Sequence, residues 1–194
     1  MRKVEELKNT KLTKEIALVG HGISVIDKKR IEFDGDIMGV NNWQIENMTH
    51  FFFYDTVTTS AIESGKIVLP EGTIVIGSEV HGLSVSDYTF HPHHFPLKRQ
   101  EKPSYRSGLR ALWVALYMGY KKVYLYGYDY ISMEEYKGNK LYDFSIQGIG
   151  PDRVKSMLDD QLEQYTWKDW PEDRIVQTNP ESRLQFGVNN EESN

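Results

Sequence analysis

An α/β fold is predicted, with one Rossmann-like domain built on a mostly parallel sheet and helices on both faces. Two features of the sequence predict it. The first is a recurring junction in which an apolar run ends at Gly, Asn or Asp, as in Ile16-Ala17-Leu18-Val19-Gly20, Asp36-Ile37-Met38-Gly39-Val40-Asn41 and His50-Phe51-Phe52-Phe53-Tyr54-Asp55. Such near-continuous apolar runs mark strands buried on both faces. The second is a strong amphipathic helix from Ser107 to Gly119 that leads straight into the strand Lys122-Val123-Tyr124-Leu125-Tyr126-Gly127. Helix then parallel strand is the crossover unit of such sheets. At 194 residues and 39% hydrophobic, the chain has the size and apolar content of one domain.

The first strand, Ile16 to Val19, runs into Gly20-His21-Gly22-Ile23-Ser24. Paired glycines let the backbone turn sharply and approach a ligand, and Ser24 can cap a helix whose free amides attract an anion. Val25 stands where a dinucleotide fingerprint has its third glycine, so a plain strand-to-helix turn is the competing reading. The second strand, Asp36 to Val40, ends at Asn41-Asn42-Trp43, and the third, His50 to Tyr54, ends at Asp55-Thr56. Ligands of open parallel sheets sit outside the carboxyl ends of the strands, which sets Gly20, Asn41 and Asp55 along one rim. Thr73 to Gly77 is a fourth strand. In the helix from Ser107, that serine caps the start, Leu109, Leu112 and Leu116 share a face, and Gly119 stops it. The strand after it delivers Tyr128-Asp129-Tyr130 to the rim. A helix from Asp152 to Trp167 and a short strand from Arg174 to Gln177 complete the pattern.

Residues 1–14 form a polar N-terminal extension, 15–187 the nucleotide-binding domain, and 188–194 a polar tail expected to be mobile. Within the domain, the stretches 78–106 and 131–150 are long enough to be lid-like loops over the rim. The extension contains no long apolar run, so neither a secretory signal nor a membrane span is expected and the protein is assigned to the cytoplasm. The chain contains no cysteine, which removes disulfides, thiolate metal sites and cysteine nucleophiles. A net charge of −5 argues against broad capture of nucleic acid or anionic lipid and suits a small phosphorylated ligand held in a local pocket.

His91-Pro92-His93-His94 is the one dense histidine cluster. It reads as a metal site short of ligands, as a general acid or base titrating near neutral pH, or as a partly exposed loop. Lys98, Arg99, Lys102 and Arg106 follow and could hold a diphosphate or form a solvated surface. Asp55 and Asp129, each at a strand end, are candidates for acid/base or metal chemistry, against helix capping or rim hydrogen bonding. No Gly-x-x-x-x-Gly-Lys-Ser/Thr loop and no Gly-x-Ser-x-Gly elbow occurs, which disfavours P-loop kinases and α/β-hydrolases.

Taken in order and spacing over about residues 15–185, Gly20-His21-Gly22-Ile23-Ser24, Asn41-Asn42-Trp43, Ser107-Gly108 and Gly127-Tyr128-Asp129-Tyr130 resemble the bacterial lipo-oligosaccharide sialyltransferases. His21 and Ile23 replace the asparagine and proline of that family's opening Gly-Asn-Gly-Pro-Ser. The resemblance implies a Rossmann-like domain with a lid, a CMP-activated sialic acid donor and no metal requirement. It further implies that Asn41 or Asn42 contacts the nucleotide phosphate or ribose, that Asp55 approaches the base, and that Ser107 and Gly108 line the ribose. Tyr130, with Tyr136 or Tyr142, would donate hydrogen bonds to the leaving phosphate, and Thr178 to Leu184 resembles the family's closing segment. The family's general-base histidine follows the lid, whereas no histidine follows His94 here. His91, His93, His94, Asp129 or Asp143 would then activate the acceptor. The expected function is a metal-independent glycosyltransferase using a nucleotide-activated sugar and an acceptor the sequence does not identify. Pyrophosphoryl transfer of the pterin diphosphokinase type and a non-catalytic nucleotide-binding module are the alternatives. Homo-oligomers are compatible with all three.

Overall fold

The computed structural model describes residues 2–25, 27–41, 45–80, 84–91, 107–130, 156, 159–160, 162–166 and 170–186. Its strands are β1 (Arg2–Lys3), β2 (Glu15–Val19), β3 (Asp36–Val40), β4 (His50–Phe52), β5 (Ile74–Ser78), β6 (Tyr88–Phe90), β7 (Lys122–Tyr126) and β8 (Ile175–Gln177). They form one sheet in the order β1-β6-β5-β4-β3-β2-β7-β8, and every pairing in it is parallel. From β2 the chain winds outward through β3, β4, β5 and β6, then returns to lay β7 against the other side of β2. The reversal makes the carboxyl ends of β2 and β7 a topological switch point, the place where ligands of open α/β sheets bind.

Alternation along the strands divides the interior into two layers. Ile16, Leu18, Met38, Val40, Phe52, Val123 and Leu125 face helix α2 (Ser107–Tyr117), which buries Leu109, Leu112 and Ala115 against them. Ala17, Val19, Ile37, Phe51 and Phe53 face the opposite way, where helix α1 (Thr56–Glu63) contributes Ala61. Gly119 ends α2 at φ 92°, a conformation that suits glycine, and its amide donates to the Leu116 carbonyl at 3.1 Å.

Four differences from the sequence reading have physical causes. The helix expected after Ser24 is a three-residue 3-10 turn, Ile23–Val25, closed by the Val25 amide donating to the Gly22 carbonyl at 3.1 Å. Helix α1 was hidden by its β-branched composition, Thr-Val-Thr-Thr, which has low helix propensity; it is started by Asp55, whose Oδ1 accepts from the Thr58 amide at 2.7 Å. The stretch 78–106, read as a lid, contains β6, whose Phe90 is fully buried and stacks on Phe52 at 5.1 Å between ring centroids. The polar extension supplies edge strand β1 and a 3-10 turn, Val4–Leu7, that buries Val4 and Leu7. The expected lid 131–150 and the tail 188–194 lie outside the described residues, as does part of the helix expected over 152–167.

Leu112 is fully enclosed by the α2 layer of the core. Leu112→Ala is expected to lower stability by about 2–5 kcal/mol with an unchanged denaturant slope in urea unfolding followed by circular dichroism.

Candidate functional site

The switch point is organised by one carboxylate. Asp129, fully buried just beyond β7, accepts from the Ser24 amide at 2.8 Å, the Ser24 hydroxyl at 3.0 Å and the Asn179 side-chain amide at 2.9 Å. Two backbone bonds fasten the same junction: the Gly20 amide donates to the Tyr126 carbonyl at 2.8 Å and the Gly22 amide to the Gly127 carbonyl at 2.7 Å. The glycines are required by this contact. A Cβ on Gly20 would lie 2.8 Å from the Gly127 carbonyl oxygen, and one on Gly22 would collide with the Asp129 carboxylate. Gly127, at φ 67°, completes the turn.

This arrangement changes what the Gly20-to-Ser24 loop can do. An anion already sits on the Ser24 amide, and it belongs to the protein. Asp129 therefore orders the loop, and both of its oxygens carry hydrogen bonds.

The segment after β8 secures the other side of the same turn. Ser182 Oγ donates to the carbonyls of Tyr128 at 2.8 Å and Asp129 at 3.2 Å, and the Arg183 amide reaches the Asp129 carbonyl at 2.9 Å. Gln177 Nε2 donates to the Tyr128 carbonyl at 3.2 Å. Held this way, Tyr130 adopts φ 55°, a left-handed conformation uncommon for a bulky residue. Its buried hydroxyl lies 2.8 Å from that of Tyr165, which comes from the helical segment 162–165.

Both tyrosines meet the first turn of α2. A Cβ on Gly108 would be 3.1 Å from the Tyr128 ring, 3.2 Å from the Tyr165 hydroxyl and 3.5 Å from the Tyr130 hydroxyl, so glycine permits this approach. The Tyr128 hydroxyl donates to the Gly108 carbonyl at 3.3 Å, and burial pushes its pKa well above the ordinary tyrosine value. The Tyr130 and Tyr165 hydroxyls and the amino end of α2 thus meet beside the switch point.

Farther along the rim, Asn41 follows β3 at φ 62° with its amide donating to the Phe52 carbonyl at 2.7 Å. Its Oδ1 is enclosed and takes no hydrogen bond among the described residues. An acceptor in that state fits a hydroxyl or amino donor. His21 Nε2 donates to the Val40 carbonyl at 3.2 Å, which fixes the neutral tautomer, and burial lowers the ring's pKa to about 4 against weaker raising effects of that bond and of Asp55. Asp55 itself is the cap of α1.

The structure brings Gly20, Gly22, Ser24, Ser107, Gly108, Asp129 and Tyr130 together at the switch point, with His21 and Asn41 on the adjoining strand ends. His91 follows β6 instead, with β5, β4, β3 and β2 between it and β7. Five strand spacings amount to about 24 Å. Asn42, His93, His94, Lys98, Arg99, Lys102, Arg106, Tyr136, Tyr142 and Asp143 lie outside the described residues. Among those described, no three His, Cys, Asp or Glu side chains are grouped to hold a metal.

Sequence reading missed two prominent groups. Tyr165 is one. The other is Arg110, fully buried in the first turn of α2 with its guanidinium 3.4 Å from the centroid of the Tyr54 ring. A lone basic residue on an otherwise apolar helix face was the available signal for Arg110; for Tyr165 there was none.

No protein-family model and no curated protein matches the chain. It is similar to solved structures from Campylobacter jejuni. An α-2,3-sialyltransferase in apo form has 17% identity and a TM-score of 0.48, with 94% of this chain and 81% of that one covered. The sialyltransferase CstII in complex with the substrate analogue CMP-3FNeuAc has 17% identity and a TM-score of 0.42, covering 88% and 82%. The monofunctional α-2,3-sialyltransferase Cst-I has 15% identity and a TM-score of 0.44, covering 88% and 78%.

Two histidines set a pH dependence. His21, at about 4, and His50, also lowered chiefly by burial, stay neutral in the folded chain while the unfolded chain takes up protons near 6.5. Stability contributed by neutral His21 is complete above pH 6.5 and declines as pH falls toward 4, by at most about 3 kcal/mol. His21→Asn is expected to flatten that decline relative to wild type in urea unfolding measured at half-unit pH steps.

Proposed function

We propose that the chain binds a nucleotide-activated sugar at the β2–β7 switch point and transfers its glycosyl group without a metal ion. The observation that carries this reading is the convergence of the Tyr130 hydroxyl with the first turn of α2, beside the Gly20-to-Ser24 loop. A sugar carried on a phosphate leaves that phosphate more negative as the glycosidic bond breaks. Donors aimed at the developing charge accelerate such a step. The motif resemblance to lipo-oligosaccharide sialyltransferases favours a cytidine monophosphate donor.

In this reading the phosphate sits by Tyr130 and the amino end of α2, because Asp129 already occupies the Ser24 amide. Asn41, which follows β3 at the rim, is assigned to the nucleotide phosphate or ribose in this reading. Gly20 and Gly22 act by letting β2 and β7 meet closely, with the donor lying above that junction. Pyrophosphoryl transfer would call on Asp55 or Asp129 for a divalent ion. Asp55 is engaged as a helix cap and Asp129 in ordering the loop.

Thermal-shift titration with CMP, UDP, GDP and ATP, each with and without magnesium, tests the assignment. CMP is expected to raise the melting temperature to the same extent in both conditions, with stabilisation of about 2.7 kcal/mol at a hundredfold excess over Kd. Asn41→Gly keeps the left-handed backbone and removes only the side chain. It is expected to weaken CMP binding about five- to tenfold in calorimetry. Stabilisation by ATP alone, and only with magnesium, would instead support the diphosphokinase reading.

A further inference from the structure

Tyr130 and Tyr165 share a hydrogen bond of 2.8 Å in a buried setting, their rings edge to face at 5.9 Å. The two residues arrive from different parts of the chain. Tyr130 is fixed by the turn after β7, where the carbonyls of Tyr128 and Asp129 accept from Gln177, Ser182 and Arg183. Tyr165 is fixed by its own neighbours: Trp170 Nε1 donates to the Tyr165 carbonyl at 2.7 Å, and the Phe186 ring meets the Tyr165 ring at 6.1 Å. The left-handed backbone of Tyr130 is the strained element, and it directs the hydroxyl to this meeting point.

Proton accounting decides the direction of the bond. A phenol has one proton to donate and two lone pairs to accept with. If Tyr130 gives its proton to an anionic phosphate oxygen, the bond to Tyr165 survives only when Tyr165 is the donor. We infer that Tyr165 is a positioning residue for Tyr130, donating to its Oη so that the Tyr130 proton is turned toward the phosphate of the departing nucleotide. The inference rests on the donor site proposed above and adds to it a residue from outside the motifs that suggested that site. Two effects follow. The Tyr130 hydroxyl is locked in one rotamer, and donation from Tyr165 polarises it into a stronger donor where negative charge grows. Both act mainly in the transition state, so Tyr165 influences turnover more than ground-state affinity.

A double-mutant cycle with Tyr130→Phe and Tyr165→Phe tests this, using CMP-sialic acid cleavage in single turnover together with CMP calorimetry. Tyr165→Phe retains the ring packing. It is expected to keep CMP affinity within about twofold and to slow cleavage about five- to tenfold. The double variant is expected to be no slower than Tyr130→Phe alone, because Tyr165 acts only through Tyr130. A second probe replaces Tyr165 by 3-fluorotyrosine, a stronger donor of nearly the same shape, which is expected to match or exceed wild-type cleavage. Wild-type cleavage by Tyr165→Phe, independent losses in the double variant, or slowed cleavage with fluorotyrosine would each overturn the role of Tyr165 while leaving the donor site standing. Absence of both CMP binding and cleavage in the wild type would overturn the donor site and this role with it.

Discussion

The Asp129 carboxylate is the constraint on which the site depends. Burying an ionised group is costly unless hydrogen bonds replace its water, and here the replacement comes from Ser24 and Asn179. Those residues belong to the loop after β2 and the segment after β8, so one carboxylate at the end of β7 ties together three stretches far apart in sequence. Each such charged bond contributes about 1.5–3 kcal/mol. The absent side chain of Gly22 is what gives the carboxylate room.

Once that junction is fixed, the rest of the site falls into place around it. The turn through Tyr128 and Asp129 is bound on its carbonyl side by Ser182 and Arg183 and on its carboxylate side by Ser24 and Asn179. A turn restrained on both sides can hold Tyr130 at a positive φ, and that conformation brings its hydroxyl to Tyr165 and the start of α2. The division of labour is electrostatic. Negative charge in the Gly20-to-Ser24 loop is supplied by the protein, and the phosphate position we propose is instead beside the phenols and the amino end of α2.

The parts of the fold written in local pattern were legible in the sequence. β3 needs no more than its apolar run and a stop at Asn41, and α2 shows its apolar spacing and its glycine end. Elements whose formation depends on tertiary contacts were not. α1 is built from β-branched residues that helix propensity disfavours, and it exists because Asp55 caps it and the sheet covers it. β6 has three residues set in a stretch that reads as loop, and Phe90 earns its place only by stacking on Phe52 and Tyr54. The rim residues could be named from the strand ends, yet their roles could not. A carboxylate at a strand end looks the same in sequence whether it meets a ligand, caps a helix as Asp55 does, or orders a loop as Asp129 does.

Amide hydrogen exchange at Ser24 in Asp129→Ala, compared with wild type by NMR, tests the central role of this carboxylate most directly. The structure predicts strong protection of the Ser24 amide in the wild type and its loss in the variant, while core amides of β2 and β7 such as Leu18 and Leu125 remain protected. A Ser24 amide equally protected in both proteins would contradict it, because the loop would then be held by something other than Asp129.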